Sequence, residues 1–304
     1  MRPFPPWLPL LLCLLVPTGA LAVVINTGDG SGNTTPPPDD PGFANVGSAS
    51  NSLTGVYLGN GWVLTARHVG DVDFTFDGIF YQAVPGSRRL ISKAGMEADL
   101  AMIKLSGPEP PLPPLALASA PIAVGEDVTM IGNGWNREAN ATCWNMSWVE
   151  LACPGGVFEG YERFGPRVIR WGLNRVTGID GYVAGPGLST RAFEAVFDEA
   201  GLVDEAQLVG GDSGGGAFLE RSGEWELVGI HFAMGAFMSQ PADTAVFGNL
   251  SAMADVYHYR PEIEAILFTP PHVPVLPWPA LLLVGGLLLG VGRGALAGRR
   301  RRDA

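Results

Sequence analysis

Gly210-Gly211-Asp212-Ser213-Gly214-Gly215-Gly216-Ala217-Phe218 sets one hydroxyl and one carboxylate among five glycines and then turns apolar. Glycine adopts backbone conformations closed to other residues, so the amides of Gly211 and Ser213 can converge on a negative charge developing beside the serine. The loop runs into one short apolar stretch, Gly215 to Leu219, and then a second, Trp225 to His231. Stretches of the same kind precede it: Thr54 to Leu58, Trp62 to Ala66, Leu100 to Leu105, Val128 to Ile131 and Val168 to Trp171. Short apolar runs split by Gly, Pro, Asn and Asp predict an all-β sandwich or barrel. Two stretches predict helix, Thr190 to Glu199 and Arg260 to Phe268, the latter with Pro261 suited to a first turn. No internal repeat of fixed period is present.

A serine hydroxyl becomes a nucleophile when an imidazole takes its proton and a carboxylate fixes the imidazole's tautomer. Trp62-Val63-Leu64-Thr65-Ala66-Arg67-His68-Val69 ends an apolar strand in an imidazole. Ala98-Asp99-Leu100-Ala101-Met102-Ile103-Lys104-Leu105 opens an apolar strand with a carboxylate. Burying that acid unpaired would cost several kcal/mol, so it calls for a partner such as an imidazole N–H.

In the order His, Asp, Ser, with Thr-Ala-x-His, Asp-Leu-Ala and Gly-Asp-Ser-Gly-Gly, the chain resembles the trypsin and chymotrypsin family over roughly residues 43 to 268. Ile131-Gly132-Asn133-Gly134-Trp135 and a closing helix after Val256 belong to the same resemblance. It implies two packed six-stranded antiparallel β-barrels with a C-terminal helix, the first over 43–122 and the second, with the helix, over 123–270. It also implies a serine-type endopeptidase acting on protein or peptide substrates, with His68, Asp99 and Ser213 as catalytic triad and Gly211 and Ser213 as oxyanion hole. No cofactor or metal is expected. The competing expectation is an inactive relative that uses the same fold for adhesion or ligand capture.

The chain departs from the family at several places. Val69 and Val209 stand where cysteines are usual, and Gly216 where proline is commoner. No internal Arg-Ile-Val-Gly-Gly precedes His68, the sequence at which family zymogens are cut so that a new amino terminus pairs with the aspartate before the serine. Here that aspartate is Asp212, and two readings stand: pairing with an amino terminus at Val23, or satisfaction by local hydrogen bonds. The trypsin pocket floor falls at Gln207 rather than an acid. Val228-Gly229-Ile230-His231-Phe232 is similar to the Gly-Ile-His stretch of glutamyl endopeptidases, which makes Gln207 and His231 candidate substrate-binding residues and acidic P1 side chains candidate substrates. A strand histidine serving the core is the alternative.

The ends of the chain speak to location. Residues 1–22 combine Arg2, an apolar run from Trp7 to Val16 and the small-residue ending Ala20-Leu21-Ala22, the pattern of a cleaved secretion signal. Its removal takes Cys13, leaving Cys143 and Cys153 in a compartment where they are expected to form one disulfide. Residues 23–42, rich in Gly, Asn, Thr, Pro and Asp, predict a flexible arm. Within it Asp29-Gly30-Ser31-Gly32-Asn33 lacks the glutamate of a calcium loop and predicts a plain turn. Val273 to Gly292 runs 20 residues without a charge and is followed by Arg293 and Arg299 to Arg302. At about 1.5 Å per residue it can cross a core of roughly 30 Å. Segment 271–304 is therefore expected to be a transmembrane helix with its arginines cytoplasmic and the body exported to the periplasm, cell surface or medium. Its layout resembles the sorting signals of exosortase and rhombosortase substrates, so a sorting protease is a further expected partner. Without Arg2, the tail arginines and Asp303, 13 basic and 29 acidic residues give a formal charge of −16, which argues against nucleic acid as partner.

Overall fold

The computed structural model describes residues 23–185 and 187–269. The expected secretion signal and apolar tail lie outside them, and no helix among the described residues is long and apolar enough to cross a membrane. The first half of the chain forms β1 (Val24–Ile25), β2 (Val46–Ala49), β3 (Thr54–Gly59), β4 (Trp62–Thr65), β5 (Phe74–Phe76), β6 (Ile79–Tyr81), β7 (Arg89–Lys93), β8 (Met96–Lys104) and β9 (Ala116–Leu117). The second forms β10 (Asp127–Gly132), β11 (Asn136–Arg137), β12 (Thr142–Trp144), β13 (Glu150–Leu151), β14 (Phe158–Phe164), β15 (Arg170–Gly185), β16 (Leu188–Val196) and β17 (Ala206–Gln207). It continues with β18 (Gly216–Arg221), β19 (Glu224–Gly235), β20 (Thr244–Val246), β21 (Leu250–Asp255) and α1 (Val256–Leu267).

The architecture is mostly β with one C-terminal helix. Fourteen strands join in one sheet. In its second half the order is β15-β10-β18-β19-β21-β16, and β15 also pairs with β16, so the circuit of pairings returns on itself. A single parallel pair, Leu188 with Glu97, passes the sheet from β16 to β8. From there β4, β3, β2, β5 and β6 follow, with β7 also on β8. The expectation of two separate barrels thus meets one continuous sheet, closed by pairing only in its second half among the described residues. Three-residue β6, with Ile79 and Phe80 more than half exposed, is left at the edge of the first. One apolar core runs through both halves, from Val56, Leu64 and Met102 to Ile131, Phe218 and Ile230.

Two expectations about helices are corrected. Thr190 to Glu199 is largely strand: Thr190, Ala192, Ala195 and Phe197 are buried while Arg191, Glu194 and Val196 are less so, and the segment pairs with β15 and β21. Its Ala and Glu content suggests helix, but burial between two neighbouring strands decides the outcome. The C-terminal helix begins at Val256, as the family resemblance implied and earlier than the Arg260 start predicted from the apolar pattern, capped by Asp255, whose carboxylate accepts the His258 N–H at 3.1 Å. Pro261 therefore lies inside it.

The arm read as flexible begins as part of the body. Val23, Val24 and Ile25 are buried, and β1 pairs with β17 through Val24–Gln207 and Ile25–Ala206. Arg137, buried against the Tyr161 ring at 3.7 Å, donates from Nε to the Ile25 carbonyl at 2.6 Å and from Nη2 to those of Asn26 and Gly28 at 3.0 and 2.8 Å. Polar composition conceals the apolar triplet that docks the segment. Asp29 accepts the amide and hydroxyl of Ser31, the plain turn expected there.

A second, five-stranded sheet stands apart, in the order β11-β14-β12-β13 with β20 on β14. Cys143 and Cys153 form a disulfide across its β12–β13 hairpin.

Candidate active site

β4 is buried along Val63, Leu64 and Thr65 and ends in a 3-10 turn, Arg67–Val69. Ala66 and Val69 point into the core on either side, leaving the His68 side chain about 33 % exposed. Asp99 is the fourth residue of β8, which pairs with β4 through Thr65–Ala101, and this register sets the carboxylate beside the turn. The carboxylate holds His68 twice: Oδ1 accepts its backbone N–H at 3.0 Å, and Oδ2 lies 2.7 Å from Nδ1. A ring whose Nδ1–H is given to a carboxylate keeps its Nε2 lone pair free for a proton. The Asp99 N–H in turn donates to Thr190 Oγ1 at 2.7 Å, so a buried β16 hydroxyl from the second half steadies the acid of the first.

The serine loop is fastened to the same strands. Thr54 N–H donates to the Ser213 carbonyl at 2.9 Å, and Thr54 Oγ1 donates to the Gly211 carbonyl at 2.7 Å. Thr65, two residues before the histidine turn, donates from Oγ1 to the Thr54 carbonyl at 2.7 Å. Gly214, at φ 89°, sits so close that a Cβ there would collide with the Thr54 carbonyl and the Thr65 hydroxyl. These contacts bring the serine loop and the His68 turn onto one framework. The amides of Gly211 and Ser213, by contrast, have no protein acceptor among the described residues.

Asp212 is buried beneath the loop, accepting the Val209 N–H at 2.9 Å on Oδ2. Gly132 makes room for it, since a Cβ there would strike the carboxylate. Burial pushes the carboxyl well above its ordinary range, opposed by the Val209 amide, the Arg170 guanidinium and the nearby Val23 amide. The Val23 approach leaves Oδ1 without a well-aligned partner among the described residues.

His231 lies on β19, its N–H donating to the Gly215 carbonyl at 2.9 Å and its carbonyl accepting the Gly214 N–H at 2.8 Å. It is fully buried, and neither ring nitrogen has a hydrogen-bond partner among the described residues. Burial pushes the imidazole down to about 3, so it is neutral at physiological pH. Gln207 is buried differently. Its Nε2 donates to the carbonyls of Leu208 and Leu250 at 2.8 and 3.1 Å, and its Oε1 accepts from Ser251 Oγ at 3.3 Å. Its polar atoms serve the fold around β17 and are not offered to a ligand.

Residues 53–230 match the trypsin-like peptidase domain family. The chain belongs to that family. A search of the curated proteins finds no match. Among solved structures, a mutant of human heparin binding protein (CAP37) is similar at 16% identity and a TM-score of 0.49, covering 80% of this chain and 99% of that one. Kallikrein-related peptidase 10 in complex with Zn2+ is similar at 14% and 0.46, covering 75% and 97%. The active form of the Rv3671c protease from M. tuberculosis is similar at 17% and 0.44, covering 86% and 97%. As a trypsin-like peptidase domain, the chain carries its expected histidine and aspartate in contact and its serine loop on the strand framework they share. Sequence reasoning missed Thr54, Thr65 and Thr190. Thr65 lay within the quoted Thr-Ala-x-His word, but Thr190 was hidden in a stretch read as helix.

Proposed function

We propose that this trypsin-like peptidase domain is an exported serine endopeptidase with His68, Asp99 and Ser213 as its triad. The observation that carries the reading is the double hold of Asp99 on His68, which fits an imidazole kept ready to accept a proton at Nε2. In this mechanism Ser213 Oγ attacks the scissile carbonyl as His68 takes its proton. The tetrahedral oxyanion is received by the Gly211 and Ser213 amides, which have no other acceptor among the described residues. His68 then protonates the leaving amine, an acyl-enzyme remains on Ser213, and water activated by His68 releases the acid product.

Two finer readings go with it. His231, neutral, buried and with neither ring nitrogen partnered among the described residues, supports recognition of an acidic P1 side chain, whose carboxylate would accept the imidazole N–H. The burial of Val23 and its approach to Asp212 support a working amino terminus at Val23, whose ammonium would balance the buried carboxylate. The apolar tail is proposed as the anchor or sorting segment of the exported protein.

A fluorophosphonate probe is expected to label the exported protein on Ser213 and not its Ser213→Ala variant; correctly folded wild type that resists labelling overturns the enzyme reading in favour of a binding protein. Intact mass tests the ends, with a chain starting before Val23 in active protein counting against the amino-terminal pairing. Hydrolysis of matched Glu, Gln, Phe and Arg substrates tests specificity, and faster cleavage after Phe or Arg than after Glu overturns it.

A further inference from the structure

The five-stranded sheet takes no part in the chemistry above, yet an aromatic stack joins it to the loop that follows β19. Trp148 stacks on Phe158 with ring centroids 4.2 Å apart and planes 9° apart, and Phe158 meets Phe237 at 4.9 Å. Trp148 Nε1 donates to the Met238 carbonyl at 3.0 Å, which ties the disulfide-clasped hairpin to the loop following β19. Met146, Val149 and Met238 of these two segments are 60%, 56% and 66% exposed. Exposed apolar side chains gathered on segments that an aromatic stack joins are the composition of a binding surface.

β19 indicates what binds there. Its pairing with β18 ends at Ile230–Gly216, whereas its pairing with β21 continues to Gly235–Leu250. From Phe232 to Gly235 one edge of β19 has no partner strand among the described residues. That open edge starts where His231 touches the serine loop and ends, after about 13 Å at roughly 3.3 Å per residue, beside Phe237. An open strand edge recruits an extended peptide through main-chain hydrogen bonds, and side-chain pockets along it supply selectivity. An anionic membrane is disfavoured as occupant because the body carries net negative charge.

We infer that the Trp148–Phe158–Phe237 surface receives an apolar side chain of the peptide being cut, about four to six residues on the amino-terminal side of the cleaved bond. The direction rests on the peptidase reading, in which His231 receives the side chain next to the cut and the preceding residues follow β19. The preferred substrate is then an extended segment that pairs an upstream apolar residue with a downstream acidic one.

The test uses two fluorogenic peptides with Glu before the cut, extended upstream by either Leu or Ser at those positions. The Leu peptide is expected to show about tenfold higher kcat/KM, the order of burying one large apolar side chain. Trp148→Ala is expected to bring the Leu-to-Ser ratio below twofold, and Met238→Ser, at an exposed site where folding is not at risk, to lower it about threefold. Equal cleavage of the Leu and Ser peptides, or a ratio unmoved in both variants, overturns the inference while leaving the peptidase reading intact. Polarisation of the same peptides, labelled, on the Ser213→Ala protein separates the two ideas. Tighter binding of Leu than Ser there, with no turnover by wild type, supports the surface and overturns the peptidase reading. Loss of binding to zwitterionic vesicles in both variants, with the peptide preference unchanged, makes the surface membrane-facing and overturns the inference.

Discussion

His68 and His231 are two imidazoles in one protein treated in opposite ways. His68 is one-third exposed and held at backbone and ring by one carboxylate; His231 is buried in β19 with neither ring nitrogen partnered among the described residues. The first has its Nδ1 fixed against a carboxylate, and the second is a neutral ring whose nitrogens have no partner among the described residues. In the function proposed above, the exposed and partnered ring transfers protons, and the buried one recognises an acidic side chain.

The largest expected effect erases the partner of the first. Asp99→Asn should lower kcat/KM about 10⁴-fold at neutral pH, because an amide favours the wrong tautomer of His68; a loss of less than tenfold in steady-state assays would detach the carboxylate from the chemistry. The next comes from the second imidazole's burial. Between pH 6.5 and about 3 the unfolded chain gains a proton at His231 that the folded chain does not. The contribution to stability is therefore complete above about pH 6.5 and declines as pH falls toward 3, by on the order of 4 kcal/mol. Urea unfolding from pH 7 to 3.5 should show a shallower decline in His231→Phe than in wild type, and parallel curves would mean that the folded protein already protonates this ring. Smaller still is the expected effect on selectivity: His231→Ala should reduce the Glu-to-Gln preference by about ten- to a hundredfold. An unchanged preference in matched substrates would return His231 to the core. Thr190→Val, which leaves the Asp99 N–H without its acceptor, should cost about 1 to 2 kcal/mol in denaturant melts. No change there would show that water replaces the hydroxyl.

Much of this contrast could be read from sequence. The apolar runs around Thr54, Trp62, Leu100 and Trp225 became strands because each is short, apolar and bounded by turn residues. The words around His68, Asp99 and Ser213 stand out because the chemistry proposed for them depends on residue type. The misreadings have a common physical source, in that a residue's neighbours in space overrule its neighbours in sequence. Thr190 to Glu199 has helical composition but lies between two strands, and Gln207 falls at a pocket position but is used up by Leu208, Leu250 and Ser251. Val23 to Ile25 introduce a polar segment, yet Arg137, distant in sequence, gathers the carbonyls of Ile25, Asn26 and Gly28. The open edge of β19 and the aromatic stack carry no sequence word at all, since they arise from where pairing stops.

Thr54 has a consequence for the order of events during synthesis. It donates to the Ser213 and Gly211 carbonyls and accepts from Thr65, while Asp99 leans on Thr190. A nascent chain that has released only its first half has a histidine and an acid, but neither the serine loop nor the hydroxyl that steadies the acid. If the proposed triad is the working one, truncated or stalled products lacking the serine loop and Thr190 should be inert toward their surroundings until the second half has folded onto the first.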